Sequence, residues 1–394
     1  MISNAPHGGA AALYVHIPFC AAKCHYCDFV SYVSGENSDT QESEAVNLYL
    51  AALLKEAGFH QAKVSPTGAV IKSLYLGGGT PTRLTARQLF MLLEYLQQVF
   101  ALSGQAEITV EGNPGTINKE KLEALQIQGC NRLSLGVQSF EDRELQALGR
   151  IHTVQDVYNT YNLAQEAGFA NINLDLMYGL PGQELSGWRK NLRTAVSLNP
   201  EHISLYQLNI EKGTPFFSLQ NKGLLAEFEQ DEAFYMYEEA INYLTDSGYC
   251  HYEISNFAKP AYESRHNQVY WRNQEYIGIG AGASGYLAGR RYTNLAVLAD
   301  YEAMLTQGAR PLAQEETIDT ELAMTETMFL GLRLLEGVDK NEFFLHFGIQ
   351  INEHYGKAID KLTEQGLIEE TQNRVRLTRQ GLYIANQVMM EFLR

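Results

Sequence analysis

From Ala12 to Leu208, short apolar runs alternate with longer stretches in which apolar residues recur every three or four positions. The runs are Ala12 to His16 (ALYVH), Ile71 to Leu76 (IKSLYL), Glu107 to Glu111 (EITVE), Arg132 to Gly136 (RLSLG), Asn171 to Leu176 (NINLDL) and His202 to Leu208 (HISLYQL). Their length and composition predict buried strands. Between them, helical spacing marks Glu44 to Phe59, where Val46, Tyr49, Leu50, Leu53 and Leu54 share a face. It recurs in Leu89 to Phe100, Lys119 to Gln128, Asp142 to Leu148, Val154 to Ala167 and Ser186 to Leu198. Ser34 to Gln41 is polar and reads as a surface excursion. Repeated β–α alternation implies a parallel sheet with right-handed crossovers. Six such units are fewer than the eight of a closed barrel. The expected fold class is α/β, a partial (β/α)6 TIM-like barrel.

The pattern changes after Gly213-Thr214-Pro215. Phe228 to Leu244 predicts a long helix. Tyr249 to Tyr286 is rich in aromatics, glycine and histidine and poor in helical period, and helices resume at Leu298 to Leu305 and Thr320 to Leu335. Asp339 to His346 and Ile351 to Gln365 predict two short helices, Gly366 to Glu369 and Arg374 to Leu377 a hairpin, and Thr378 the cap of a last helix. This order resembles a winged helix. Because it is short of a basic helix, we read it as a docking module rather than a nucleic-acid reader. The expected divisions are 1–215 for the barrel, 216–315 for a mixed region and 316–394 for the C-terminal module.

Composition narrows the classes. A chain of 394 residues, 45% hydrophobic and 19% charged, is an ordinary globular protein with room for two or three domains. A formal net charge of −16 argues against a general phosphate-backbone binder, so no nucleic-acid partner is expected. No apolar run is long enough to predict a membrane span. The opening MISNAPHGGA lacks the basic start and apolar core of a signal peptide. A cytoplasmic location is expected. Cys130 and Cys250 are isolated and read as small hydrophobes.

The chemistry concentrates just after the first strand. Cys20, Cys24 and Cys27 form a C-x3-C-x2-C run in LYVHIPFCAAKCHYCDF. Structural zinc normally takes four protein ligands, and a disulfide would leave an odd thiol; His16 or His25 would have to complete a zinc site. Three thiolates suit three irons of a [4Fe–4S] cluster and leave the fourth iron open. Other polar and glycine residues fall where strands end: Gly77-Gly78-Gly79-Thr80, Glu111, Gln138 and Asp175. In barrels, active sites lie at those carboxyl ends, so one ligand would meet all of these residues.

The cysteine run resembles that of the radical S-adenosylmethionine (radical SAM) superfamily. There the open iron binds the amino and carboxylate groups of S-adenosylmethionine, and an electron from the cluster cleaves the sulfonium to a 5′-deoxyadenosyl radical. From Leu13 onward the chain also resembles the oxygen-independent coproporphyrinogen III oxidase family through YVHIPFC, GGGTPT, SLGVQSF, DLMYGLPGQ and YEISNFAKP. His266-Asn267-Gln268-Val269-Tyr270-Trp271 matches the HNxxYW pattern associated with haem binding in the haem-chaperone branch of that family. The resemblance implies cluster ligation by Cys20, Cys24 and Cys27. It implies S-adenosylmethionine contacts at Tyr14, Gly78, Gly79, Thr80, Glu111, Gln138, Arg150 and Asp175. Glu111 would accept from the amino group, Arg150 would pair the carboxylate bidentately, and Asp175 would accept from ribose hydroxyls. His266 becomes the expected haem ligand, His251 the alternative, and Tyr270 and Trp271 an aromatic wall.

Two departures bear on activity. The oxidase branch has a further cysteine two residues after the third cluster cysteine, where this chain has Phe29. It also has a substrate-covering N-terminal segment, whereas thirteen residues precede Tyr14 here. The leading expectation is a haem-chaperone-like protein that binds the cluster, S-adenosylmethionine and haem and passes haem to an acceptor protein. Oxidative decarboxylation of coproporphyrinogen III is the alternative, and a radical enzyme acting on nucleic acid the third class. A homodimer is one expected assembly state.

Overall fold

The computed structural model describes residues 11–33, 39–64, 68, 70–226 and 228–393. The N-terminal decapeptide and most of the polar excursion after Val33 lie outside the described residues. The strands in chain order are β1 (Ala12–Ile17), β2 (Phe19–Cys20), β3 (Tyr32–Val33), β4 (Ile71–Gly78), β5 (Leu102–Gly112), β6 (Arg132–Gln138), β7 (Ile172–Tyr178), β8 (His202–Gln207), β9 (Cys250–Glu253), β10 (Asn256–Ala258), β11 (Tyr276–Ile279), β12 (Ser284–Leu287), β13 (Arg290–Asn294), β14 (Leu312–Thr317), β15 (Val338–Asp339), β16 (Ile368–Glu370) and β17 (Arg374–Leu377).

The six strands expected from the alternation are neighbours in the order β1-β4-β5-β6-β7-β8, each pair parallel. Helices α1 (Asp39–Val64), α2 (Ala86–Val99), α3 (Lys119–Ile127), α4 (Asp142–Ala147), α5 (Val154–Glu166) and α6 (Leu185–Leu198) connect them. Strict alternation along these strands separates two faces. Leu133, Leu135 and Val137 of β6, Leu174 and Leu176 of β7, and Ile203 and Leu205 of β8 belong to the main core. The intervening Ser134, Gly136, Gln138, Asp175 and Ser204 line a cavity on the inner face. A side-chain period of two makes this division automatic once the register is set.

The region after Pro215 is more regular than its pattern predicts. Helices α7 (Pro215–Asn221) and α8 (Gln230–Asp246) lead into strands that join both edges of the same sheet, giving twelve strands. Beyond β8 lie β10 and β9, both antiparallel. Beyond β1 lies β11, a further parallel strand, then antiparallel β12, β13 and β14. These strands span three to six residues, too short to stand out by period, and glycine interrupts them where chains pack closely. A Cβ on Gly278 would sit 1.8 Å from the Ser284 carbonyl oxygen. Gly278 also donates its N–H to, and accepts from, the Tyr292 hydroxyl at 3.1 and 3.0 Å. Glu56 of α1, only 1% exposed, ties this extension to the barrel by accepting from Asn294, the Gly280 N–H and the Tyr301 hydroxyl.

Between β10 and β11 runs α9 (Arg265–Trp271), a two-turn helix across the inner face near the strands' amino ends. Then follow α10 (Leu298–Thr306), α11 (Thr320–Gly331), α12 (Lys340–Phe347) and α13 (Ile351–Glu364). The hairpin expected in the C-terminal module is present as β16 and β17, and β15 adds a third strand of two residues. The last helix is broken into α14 (Arg379–Tyr383) and α15 (Ala385–Met390).

Candidate cofactor site

The cysteines lie on the connection leaving β1, at the carboxyl end of the sheet. β2 and β3 pair in parallel and pin the two ends of this loop. Its middle is clamped from two other elements. The His25 N–H donates to the Leu148 carbonyl at 2.9 Å, and the His25 carbonyl accepts from the Phe216 N–H at 3.0 Å. Phe216 is placed by the start of α7, where Thr214 caps and Pro215 occupies the first turn.

All three cysteines face one cavity of about 380 Å³, together with Gly78, Gly79, Thr80, Glu111, Gln138, Arg150 and Asp175. Ten of the twelve residues expected to hold cofactors therefore meet in one space. Tyr14 and His266 are not among its lining residues. Tyr14 donates or accepts at His16 Nδ1 (3.0 Å) and stacks against Tyr75, one layer behind the wall. His266 lies beneath that layer, its ring 4.9 Å from the Tyr75 ring.

A ring of polar contacts braces the cysteine loop. Thr80 Oγ1 donates to Cys20 Sγ at 3.6 Å, and Asn113 Nδ2 donates to Thr80 Oγ1 at 2.9 Å. Arg150 Nη2 donates to Asn113 Oδ1 at 2.5 Å and to the Gly136 carbonyl at 2.6 Å, while Nη1 donates to Cys24 Sγ at 3.5 Å. Both terminal nitrogens of Arg150 are thus engaged by the protein, which leaves fewer of its five N–H groups for the bidentate carboxylate pairing expected of it. Sequence reasoning misses Asn113, although Gly112-Asn113-Pro114 follows a strand end directly. Burial pushes the Cys20 and Cys27 thiols up, so deprotonation there calls for a metal. Among the described residues no group of three or more His, Cys, Asp or Glu is arranged around a single-ion position. A multi-iron group is favoured instead by three thiols facing one cavity with hydrogen-bond donors aimed at their sulfurs, since such donors tune iron–sulfur centres.

The neighbouring wall is built for close backbone approach. Gly78 has φ +110°, and a Cβ there would meet the His16 ring at 2.4 Å. Only glycine tolerates both demands. Its N–H donates to Glu111 Oε2 at 3.1 Å, and the Tyr75 hydroxyl donates to Glu111 Oε1 at 2.7 Å. Burial pushes the Glu111 carboxyl up to about 7, against these two donors. A bound ammonium would reverse that shift. Gln138 holds φ +66° without being glycine, a local strain at the end of β6 where its side chain turns into the cavity.

Asp175 sits deeper. Asn173 Nδ2 donates to its Oδ1 at 2.8 Å and Ser134 Oγ to its Oδ2 at 3.2 Å. Burial raises its carboxyl nonetheless. Arg132, fully buried between Asp175 and Glu107, has an Nε–H without a partner. Arg132, Ser134, Asn173, Ser204 and Asn267 are cavity residues that sequence reasoning missed. The signal was there: polar residues at every second position of β6, β7 and β8 contradict a parallel strand buried on both faces.

The residues fit a cluster and an amino-acid-bearing cofactor beside it: thiols, a glycine cradle, and a buried carboxylate able to accept from an amine. The comparisons agree. The radical SAM superfamily model matches residues 14–195, and the HemN C-terminal domain model matches residues 318–384. The chain is 40% identical to heme chaperone HemW of Bacillus subtilis (strain 168) over 381 residues, 96% of this chain and 98% of that protein. It is 34% identical to heme chaperone HemW of Escherichia coli (strain K12) over 386 residues, 97% of this chain and 98% of that one. Its fold superposes on the solved coproporphyrinogen III oxidase HemN of Escherichia coli, a radical SAM enzyme, with TM-score 0.83 and 25% identity, covering 98% of this chain and 91% of the other. A three-cysteine loop at the carboxyl end of a partial parallel barrel, the superfamily match over that barrel and end-to-end likeness to curated relatives lead to one assignment: the chain belongs to the radical SAM superfamily and, within it, to the family of the HemW proteins.

Proposed function

We propose that this protein is a haem chaperone that holds a [4Fe–4S] cluster and S-adenosylmethionine in the barrel and delivers haem to an acceptor protein. The observation that carries the reading is end-to-end similarity to relatives named heme chaperone, at up to 40% identity, in a chain whose three loop cysteines face one cavity. Cys20, Cys24 and Cys27 would ligate three irons. Gly78 and Gly79 would present backbone to the methionine end of the cofactor. Glu111 would accept from the amino group, and Asp175 from ribose hydroxyls. When bound, the cluster supplies one-electron chemistry at its open iron. The protein's own part is to hold these groups out of water: the cavity floor is closed by Asn267 of α9 and by Arg132. On this reading residues 1–215 are the cofactor barrel, 216–315 the family-specific region and 316–394 a docking module for the acceptor. A reducing compartment, the cytoplasm, suits exposed thiols. Among the described residues no helix is long and apolar enough to cross a membrane.

His266 is the family's expected haem ligand, and here it is sealed. It is 1% exposed, with Nδ1 hydrogen-bonded to Ser73 Oγ at 3.0 Å and Nε2 to the Tyr270 hydroxyl at 2.7 Å. Burial lowers its pKa to about 3. His251, the alternative, is half-buried and stacked 4.2 Å from Phe257. Ligation by His266 would require Tyr270 to leave. The test of the carrier reading is an anaerobic haem titration of the cluster-loaded protein followed by transfer to an apo-haemoprotein. Saturable binding at one haem per chain and transfer on mixing are expected; absence of specific binding ends the reading.

The close superposition on HemN supports a second reading, oxidative decarboxylation of coproporphyrinogen III. Phe29 stands where the oxidase branch has its further cysteine, and its side chain is 63% exposed. An anaerobic assay with reductant and S-adenosylmethionine decides between them: loss of two carboxyl groups per porphyrinogen would establish the oxidase.

A further inference from the structure

Helix α9 carries the HNQVYW motif between two cavities. Asn267, near its start, lines the cysteine cavity, and Trp271, its last residue, lines a second cavity of about 350 Å³ at the other end of the sheet. Between them lies a row of rings. Tyr75 of β4 lines the cysteine cavity. The His266 ring stacks on it at 4.9 Å, with 28° between the planes. The Tyr270 ring meets His266 edge-on at 5.1 Å. His266 and Tyr270 meet because residues four apart share one face of a helix.

Each phenol in this row has a base at its oxygen. The Tyr75 hydroxyl donates to Glu111 Oε1 at 2.7 Å. The Tyr270 hydroxyl lies 2.7 Å from His266 Nε2, and His266 Nδ1 lies 3.0 Å from Ser73 Oγ. In the tautomer with its proton on Nδ1, His266 donates to Ser73 and accepts from Tyr270. Both phenol contacts are within the reach that proton transfer needs, about 2.6–3.2 Å. Burial and the nearby charge of Arg132 hold the imidazole neutral. An oxidised phenol is acidic enough to give its proton even to such a base. The next ring, Tyr276, lies 4.6 Å beyond Tyr270, and its hydroxyl has no hydrogen-bond partner among the described residues. Oxidising it would leave its proton without an acceptor, so the row of paired phenols ends at Tyr270.

We propose that Tyr75, His266 and Tyr270 form a redox relay that carries an oxidising equivalent from a carbon-centred radical in the cysteine cavity to Tyr270 in α9. This rests on the radical SAM reading of that cavity and goes beyond it. The radical takes the hydroxyl hydrogen atom of Tyr75: the O–H bond breaks, a C–H bond forms, and Tyr75 becomes a neutral phenoxyl. An electron then passes from Tyr270 through the His266 ring to Tyr75. A proton returns to the Tyr75 oxygen from the Glu111 carboxyl, which burial pushes up to about 7, and the Tyr270 proton moves to His266 Nε2. The unpaired electron comes to rest on a phenol that lines neither cavity. The motif thereby gains a part that a buried, fully hydrogen-bonded histidine can play without leaving its place.

The experiment is rapid-freeze electron paramagnetic resonance of the full-length, cluster-reconstituted protein mixed anaerobically with reductant and S-adenosylmethionine. 5′-Deoxyadenosine is quantified in the same samples, and ring-deuterated tyrosine identifies tyrosyl signals by their narrowed hyperfine splitting. Wild type, Tyr75→Phe, Tyr270→Phe and the exposed control Tyr235→Phe are compared. Each substitution removes only a hydroxyl, and circular dichroism checks the fold. Wild type is expected to give a tyrosyl signal. Tyr75→Phe should reduce it to background, Tyr270→Phe should change its hyperfine pattern because the radical stops at Tyr75, and Tyr235→Phe should change nothing. 5′-Deoxyadenosine formed without a tyrosyl signal overturns the relay and leaves the radical SAM reading of the cavity intact. An unaltered spectrum in Tyr270→Phe also overturns it and moves the radical to Tyr14, stacked 6.2 Å from Tyr75 with its hydroxyl 3.0 Å from His16 Nδ1. No 5′-deoxyadenosine from wild type ends the relay together with the radical reading of the cavity.

Discussion

The inner face of the parallel strands is polar from end to end, yet its two ends use that polarity differently. Toward the carboxyl ends Glu111, Gln138 and Asp175 line a cavity of about 380 Å³, where a ligand has room to meet them. At the amino ends α9 covers the same face, and polar groups meet one another. Glu107 accepts the Arg265 and His266 N–H groups at 3.1 and 3.0 Å, satisfying the start of the helix. His202 Nδ1 pairs with Asn173 Oδ1 at 2.6 Å, and its Nε2 with the Tyr252 hydroxyl at 2.8 Å. Tyr252 in turn accepts the Ser264 N–H at 3.2 Å. One end holds chemistry in reserve; the other converts the same residue types into a rigid floor. A buried polar network stabilises only when its members are satisfied, so the two ends should respond differently to the same kind of damage.

The largest effect is expected at the cavity end, on cofactor rather than fold. Cys24→Ala removes one of three iron ligands, and iron bound per chain after anaerobic reconstitution should fall to background while the circular dichroism of the protein is kept. At the floor, Glu107→Ala leaves the Arg265 and His266 N–H groups at the start of α9 without their acceptor and removes a charge that favours buried Arg132. Stability should drop by about 2–4 kcal/mol in urea unfolding, the cost of buried donors left unmet. Asp175→Asn, at the cavity end, should lower stability by about 1 kcal/mol, because the amide oxygen still accepts from Asn173 and the Ser134 hydroxyl can turn to accept from the new amide N–H. Equal losses in these two variants would erase the distinction between the ends.

Titration sharpens the same contrast. The Glu111 carboxyl is raised from 4.5 to about 7, so the folded state holds a proton that the unfolded state has released. Its contribution therefore opposes folding increasingly as pH rises from 4.5 to 7, by on the order of 3 kcal/mol at most. His266 is lowered from 6.5 to about 3, so its contribution is fully present above 6.5 and is lost as pH falls toward 3. Glu111→Gln should gain stability relative to wild type between pH 5 and pH 8, and His266→Gln should lose acid sensitivity below 6.5. Urea midpoints across that range check both signs. An effect as small as that of Asp175→Asn is expected from Asn113→Ala, which opens the ring joining Cys20 to Cys24 through Thr80 and Arg150. A loss of about 1 kcal/mol and a measurable change in cluster reduction potential should follow.

The sequence carried the cysteine loop, the glycine run and the order of six parallel strands because each is a local pattern, set by spacing or by period. The same local character put Glu111 and Gln138 at strand ends, whereas Asp175, expected there too, lies in the middle of β7. Asn113 and Arg132 escaped because their importance lies in partners far along the chain: Asn113 with Arg150, and Arg132 with Glu107 and Asp175. Arg150 lines the cavity, and its contacts with Cys24, Asn113 and Gly136 are decided by packing.

What the residues determined by themselves was the chemistry available and the half-barrel that gathers it: alternation assigns each strand residue a face, and three thiols at short spacing define a metal loop. Only the tertiary structure decided what α9 does. Its six-residue motif reads the same whether it lies on the surface or inside. Buried beneath Tyr75 and anchored by Glu107, it becomes the floor of one cavity and the wall of another, with His266 closed between them. Burial and hydrogen-bond partners come from residues distant in sequence, and no local pattern encodes them.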